Sequence, residues 1–103
     1  MDENYYEGKL QLRNPNEEVI NFIKNQFKNN DKVWIAKYET LKTGVDIYIS
    51  SNRFLLGLGK KLKKSFKGEL KTSRKLHTQD RQTSKQIYRV TVLFRLDEPT
   101  TEE

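Results

Sequence analysis

Cysteine is absent from the chain and histidine occurs once. Without cysteine there is no disulfide, no zinc–thiolate site and no thiol nucleophile. A single imidazole, His77, has no second histidine to complete a metal set, and no group of aspartates and glutamates has metal-ligand spacing. Unbroken apolar runs last only a few residues, far short of the roughly 20 that an α-helix needs to cross a bilayer. The opening Met1-Asp2-Glu3-Asn4 is acidic and polar, unlike a secretory signal. Together with a cysteine-free composition, which suits a reducing compartment, these absences lead to the expectation of a soluble, cytoplasmic protein with no membrane partner.

What is plentiful is charge, and it is unevenly placed. Hydrophobic residues make up 34% of the 103 positions and charged residues 33%. Residues 1–51 carry 7 basic and 8 acidic side chains, residues 52–89 carry 12 basic and 2 acidic, and residues 90–103 carry 1 basic and 4 acidic. A basic block set between near-neutral and acidic segments is the footprint of a polyanion partner. The apolar residues are few but periodic, which marks a folding chain rather than a disordered one. The length suits one domain, expected over 1–96, followed by an acidic, disordered tail over 97–103.

The periodicities alternate between two kinds. Residues 5–13 alternate as a strand, with Tyr6, Leu10 and Leu12 on one side and Glu7, Lys9, Gln11 and Arg13 on the other. Asn14-Pro15-Asn16-Glu17 reads as a helix start, with Asn14 as cap, Pro15 in the first turn and Glu17 closing a capping box. Val19, Ile20, Ile23 and Phe27 recur at helical spacing, with Phe22 at the edge of their stripe. Residues 33–41 and 45–50 are β-branched and aromatic, and Lys42-Thr43-Gly44 joins them as a hairpin. Ser50, Ser51 and Asn52 supply the cap of a second helix over 52–67, with Phe54, Leu55, Leu58, Leu62 and Phe66 inward and Gly68 as its stop. Residues 69–77 and 87–96 are the last two strands, joined by the polar loop Thr78–Gln86. Tyr88, Val90, Val92, Phe94 and Leu96 share a face expected in the core. The order β-α-β-β-α-β-β predicts a two-layer α+β fold, a mostly antiparallel five-stranded sheet with both helices on one face and the other face open.

The second helix carries the sharpest functional signal. With Leu58 at the centre of the apolar face, a step of about 100° per residue sends Lys60, Lys63, Lys64 and Lys67 to the opposite side and Lys61 to the boundary. No acid lies between Arg53 and Gly68, so helical ion pairs do not account for the lysines. A basic amphipathic helix also suits an anionic membrane or a calmodulin-like partner, but here the sheet needs its apolar face. A second basic group, Lys71, Arg74, Lys75, Arg81, Lys85 and Arg89, flanks the last hairpin and is interleaved with Ser, Thr and Gln. Such residues contact phosphate and sugar. Strand alternation sends Lys71 and Lys75 to one face and Arg74 to the other, so this group wraps an edge. Few aromatics accompany it, which favours folded or double-stranded RNA read by shape over a stacking platform. Gly57-Leu58-Gly59-Lys60-Lys61 lacks the spacing of a phosphate-binding loop and sits within a helical pattern, where its glycines serve close approach.

The stretch Lys71-Thr72-Ser73-Arg74-Lys75-Leu76, then Asp80-Arg81-Gln82-Thr83-Ser84-Lys85, then Tyr88-Arg89-Val90-Thr91-Val92 resembles the NMD-three family, the 60S ribosomal-subunit export adapters and their archaeal relatives. Tyr5-Tyr6-Glu7-Gly8 with Leu10-Gln11-Leu12-Arg13 is similar to the segment after the zinc-binding region in the archaeal members, and the element order resembles the L22e-like module of the family. The resemblance implies binding to the large ribosomal subunit and its RNA, and by position it includes Arg74, Lys75, Arg81, Lys85 and Arg89. The family's paired-cysteine zinc region has no counterpart in this chain, so zinc binding is not carried over.

The expectation is a non-catalytic RNA-binding domain acting in large-subunit maturation, export-like transport or quality control, without a cofactor or small-molecule substrate. Its nucleic-acid contacts are expected from Lys60, Lys61, Lys63, Lys64, Lys67, Lys71, Arg74, Lys75, Arg81, Lys85 and Arg89. The alternative is a module that docks ribosomal proteins or another maturation factor through the open sheet face, with Trp34, Tyr38 or Tyr48 as anchors.

Overall fold

Alternation of apolar with polar residues decides which side of each strand is buried, and it does so from the first strand onward. The computed structural model describes residues 5–79 and 86–97. In chain order the elements are β1 (Gly8–Arg13), α1 (Glu17–Lys28), β2 (Ile35–Leu41), β3 (Gly44–Ile49), α2 (Asn52–Ser65), β4 (Gly68–Gln79) and β5 (Gln86–Leu96). The five strands form one sheet in the order β2-β3-β1-β5-β4. β2–β3, β3–β1 and β5–β4 are antiparallel, whereas β1 and β5 run parallel, Leu10 opposite Val92. The fold is α+β as expected, but the sheet is mixed. α2 carries the chain across to the far side, so β4 takes the outer edge and β5 returns beside β1 in the same direction.

One apolar cluster unites the two layers. Leu10, Leu12, Ile47, Ile49, Val90, Val92 and Phe94 from the sheet meet Val19 and Ile23 from α1 and Leu55, Leu58 and Leu62 from α2, all of them buried. Both helices therefore cover the same face. They also touch each other through aromatic pairs, Phe22–Phe66 with ring centroids 5.5 Å apart and Phe27–Phe54 at 4.9 Å.

The structure corrects several expectations of local chemistry. The cap of α1 is Asn16, whose side chain accepts from the Val19 N–H at 2.9 Å, so the reading with Asn14 as cap and Glu17 as box partner does not hold. Asn14 instead takes a left-handed φ of 54°, a conformation asparagine tolerates. Its N–H donates to the Thr43 carbonyl and its amide to that of Leu96. α2 is capped by Ser51, whose hydroxyl accepts from the Phe54 N–H. It ends before Phe66, whose backbone is already extended, so Gly68 does not stop the helix. Gly68 opens β4 where a Cβ would stand 2.4 Å from the Arg95 carbonyl oxygen. Tyr88 is not core either: it is 42% exposed, because β1 begins at Gly8, opposite Val90, and the β4–β5 hairpin continues beyond it.

The chain bends at Glu7, and this moves Tyr6 to the open face, against the strand alternation expected from residue 5. The Glu7 carboxylate accepts from the Asn52 N–H at 2.8 Å and from the Tyr5 hydroxyl at 2.6 Å. An anion at the N-terminus of α2 offsets its helix dipole. The hydrogen bond to Glu7, with some burial and the Glu7 charge, pushes the Tyr5 phenol up from its usual 10 to about 12, against the opposing charge of Arg89.

The two glycines of α2 differ. A Cβ on Gly59 would meet Val92 at 3.0 Å and Leu70 at 3.5 Å, so this glycine seats the helix on the sheet. A Cβ on Gly57 would meet nothing within 4 Å. Gly57→Ala should therefore stabilise the fold by about 0.5–1 kcal/mol, the helix propensity gained, raising Tm by a few degrees. Gly59→Ala should fall short of that gain, because the methyl presses on Val92. Thermal melts of both variants check the pair.

Because the Tyr5 pKa is raised on folding, its contribution to stability is complete below pH about 10 and is lost as pH rises through about 12. An NMR titration of the Tyr5 ring should show ionisation near the upper value, and Glu7→Gln should bring it down towards that of free tyrosine.

Candidate nucleic-acid interface

The apolar stripe of α2 faces the sheet, and that fixes the lysines on the outside. Lys60, Lys61, Lys63 and Lys64 are exposed along α2, and Lys67 is exposed in the link to β4. None of them pairs with a carboxylate among the described residues. Lys61 donates to the Gln26 side chain at 3.1 Å, and Lys63 to the Gly68 carbonyl at 2.8 Å. The second contact ties the end of α2 to the start of β4. Uncompensated like charges at this spacing repel one another.

The hairpin residues divide as strand alternation requires. Lys71 and Lys75 lie opposite Leu93 and Arg89, on the sheet face away from the helices, and Arg74, opposite buried Val90, lies on the helix side. All three are exposed. Arg89 is half-buried and engaged: its guanidinium lies 4.3 Å from the centroid of the Tyr6 ring and donates to the Tyr6 hydroxyl at 2.9 Å. Arg81 and Lys85 lie outside the described residues, as does the tail beyond Asp97, and the His77 side chain is likewise not described. The basic residues therefore form two surfaces on opposite sides of the sheet. One comprises the α2 lysines with Arg74, the other Lys71, Lys75 and Arg89, and the edge strand β4 joins them.

Sequence reading missed what the open face adds to the second surface. Lys9, Arg13, Lys37 and Arg95 also project from it, judged by register: Lys9 and Lys37 lie opposite Tyr48, and Arg95 lies opposite Arg13 and Glu69. Three carboxylates of this face are matched by cations: Arg13–Asp46 at 2.9 Å, Lys37–Glu39 at 3.5 Å and Lys71–Glu69 at 3.2 Å. Tyr6 and Tyr48 meet edge to face with centroids 4.9 Å apart. The Lys9 and Lys37 ammoniums stand 5.5 and 5.0 Å from the Tyr48 ring. Burial, then the hydrogen bond from its hydroxyl to Glu39, raises the Tyr48 pKa. Nothing local in the sequence links Tyr6 to Arg89; only the pairing of β1 with β5 does.

At the end of the face where β1 and β5 finish, a concavity of about 1240 Å³ is lined by Gln11, Arg13, Lys71, Leu93 and Arg95, with the β2–β3 turn as one wall. Of the aromatics considered as docking anchors, Tyr38 is 69% exposed, whereas Trp34 and Tyr48 are half-buried. No group of three or more metal-ligating side chains occurs among the described residues. No helix among them is long and apolar enough to cross a membrane.

No curated protein matches the chain at a significant level. A family model does: NMD3, second domain, over residues 5–96. The match includes every described element and both basic surfaces, and it agrees with the resemblance carried by the Ser73-Arg74-Lys75-Leu76 and Tyr88-Arg89-Val90-Thr91 segments. The chain belongs to the NMD3 family, whose members are tied to the large ribosomal subunit, and residues 5–96 are its second domain.

Proposed function

We propose that this domain is a non-catalytic clamp on ribosomal RNA of the large subunit, acting in the cytoplasm during subunit maturation or transport. The observation that carries this reading is the row of five exposed lysines on α2 and its link to β4, none neutralised by a carboxylate among the described residues. An ammonium row facing away from the core suits the phosphate backbone of a folded RNA, which fixes position without reading bases. Arg74 extends the row across the helix side of β4. Lys71 and Lys75 continue it around the edge.

Binding of a structured ribosomal RNA fragment should be steeply salt-dependent. With roughly six to ten phosphates engaged, affinity should fall by about 10³–10⁵-fold between 50 and 200 mM salt, and a flat response defeats the electrostatic mechanism. Reversing Lys60, Lys63, Lys64 and Lys67 together to glutamate should abolish binding while Tm stays within a few degrees of the parent, since all four are exposed. Binding that survives the reversal moves the site to the hairpin.

A second reading, docking of a ribosomal protein, draws on the exposure of Tyr38 with Ile35 and Leu41 on the edge strand β2. Tyr38→Ala separates the two: it should leave RNA affinity unchanged and weaken only a protein contact.

A further inference from the structure

We infer that the open face of the sheet is a separate site for an unpaired RNA strand, which seats bases on Tyr6 and Tyr48. This rests on the RNA-binding reading above for the class of partner, but it uses different residues on the opposite side of the molecule. Four observations converge on it.

The face is uncovered, because both helices pack on the other side. It has a surplus of positive charge. Glu39, Asp46 and Glu69 already have cations, Asp97 stands at its end, and Lys9, Lys75, Arg89 and Arg95 pair with no carboxylate among the described residues. Tyr6 precedes β1 and Tyr48 lies in the neighbouring β3, and both are fixed before any ligand arrives. Tyr6 receives a hydrogen bond from Arg89, and Tyr48 gives one to Glu39. Their rings are inclined at 70°, so their faces point in different directions.

That inclination selects the ligand. Two stacked bases of a duplex offer no free faces to rings set at such an angle, whereas splayed bases of a single strand do. The cations beside the rings are Arg89 at Tyr6 and Lys9 and Lys37 at Tyr48. They hold the rings in the free protein through cation–π contact. When a base takes the ring face, the same side chains turn to its phosphate, so stacking and charge act on one nucleotide. Lys75 continues the track along β4, and the concavity at Arg13 and Arg95 receives the strand at the other end of the face. Because α2 lies across the sheet, a folded RNA on its lysines leaves this face free, and the domain bridges two RNA elements.

The test uses the full chain with two probes, a short unstructured pyrimidine oligoribonucleotide and a short RNA duplex. The Tyr6→Ala, Tyr48→Ala double variant should bind the oligonucleotide at least about thirtyfold more weakly, the lower end for loss of two base–aromatic stacks, with duplex affinity unchanged. Phenylalanine at both positions should restore the oligonucleotide, since it keeps the rings. In case the alanine variant loses its fold, NMR of the parent chain gives a second reading: added oligonucleotide should shift the Tyr6 and Tyr48 ring signals upfield. The proposal is overturned by an oligonucleotide that does not bind the parent, by unchanged affinity in the folded alanine variant, or by ring signals that stay in place. Reversal of the α2 lysines separates the two sites: it should remove the duplex and leave the oligonucleotide bound.

Discussion

The parallel pairing of the first strand with the last governs this molecule. β1 lies at the centre of the sheet, and its register with β5 places Leu10 and Leu12 beside Val92 and Phe94, the centre of the core. It also places Tyr6 against Arg89. These residues are distant in the chain, so the contact closes a long loop. Once formed, it divides the sheet into a covered face and an open one, because both described helices pack on the same side. Every candidate residue discussed above takes its position from that division.

How much of this is legible in the sequence depends on how local the cause is. Helix and strand periods are local, and the seven elements fall where apolar spacing puts them, with ends displaced by a few residues. The core of α2, Leu55, Leu58 and Leu62, follows from spacing alone, and so do the lysines opposite it. The cap of α1 is also local, yet two asparagines compete for it, and Pro15 stands between them. Asn16 takes the cap because Asn14 is held in a left-handed turn by the carbonyls of Thr43 and Leu96, which belong to the β2–β3 turn and to β5. Tyr88 has the alternation of a core residue, but whether it is buried depends on where β1 begins. The cation–aromatic cluster of Tyr6, Tyr48, Lys9, Lys37 and Arg89 draws on four strands, so no window of sequence contains it.

The distribution of carboxylates differs between the open face and α2. On the open face each acid stands beside a base of a neighbouring strand or of its own, and the pair between Arg13 and Asp46 is partly buried as well as short. Exposed pairs of this kind contribute little stability, but they show that this sheet places acids among bases where neutrality suits it. On α2 no such placement occurs. Its first turn holds no acid although the dipole favours one there. Glu7 supplies the missing anion from outside the helix, through the Asn52 N–H. The helix thus obtains its N-terminal compensation without placing a carboxylate near its lysines.

That arrangement has an energetic consequence for the isolated domain. Lys60 and Lys64, and Lys60 and Lys63, stand at spacings where like charges oppose the helix by roughly 0.2–0.5 kcal/mol per pair. Only Lys63 and Lys64 fall in the last turn, where the dipole offsets the repulsion. Gly57 adds to the cost, since it leaves helix backbone exposed and no neighbour occupies the space its Cβ would fill. Selection for stability alone would favour alanine at Gly57 and a neutral residue at Lys60. The joint presence of these features on one exposed surface, above a core that is otherwise well packed, is what the proposed anionic partner accounts for.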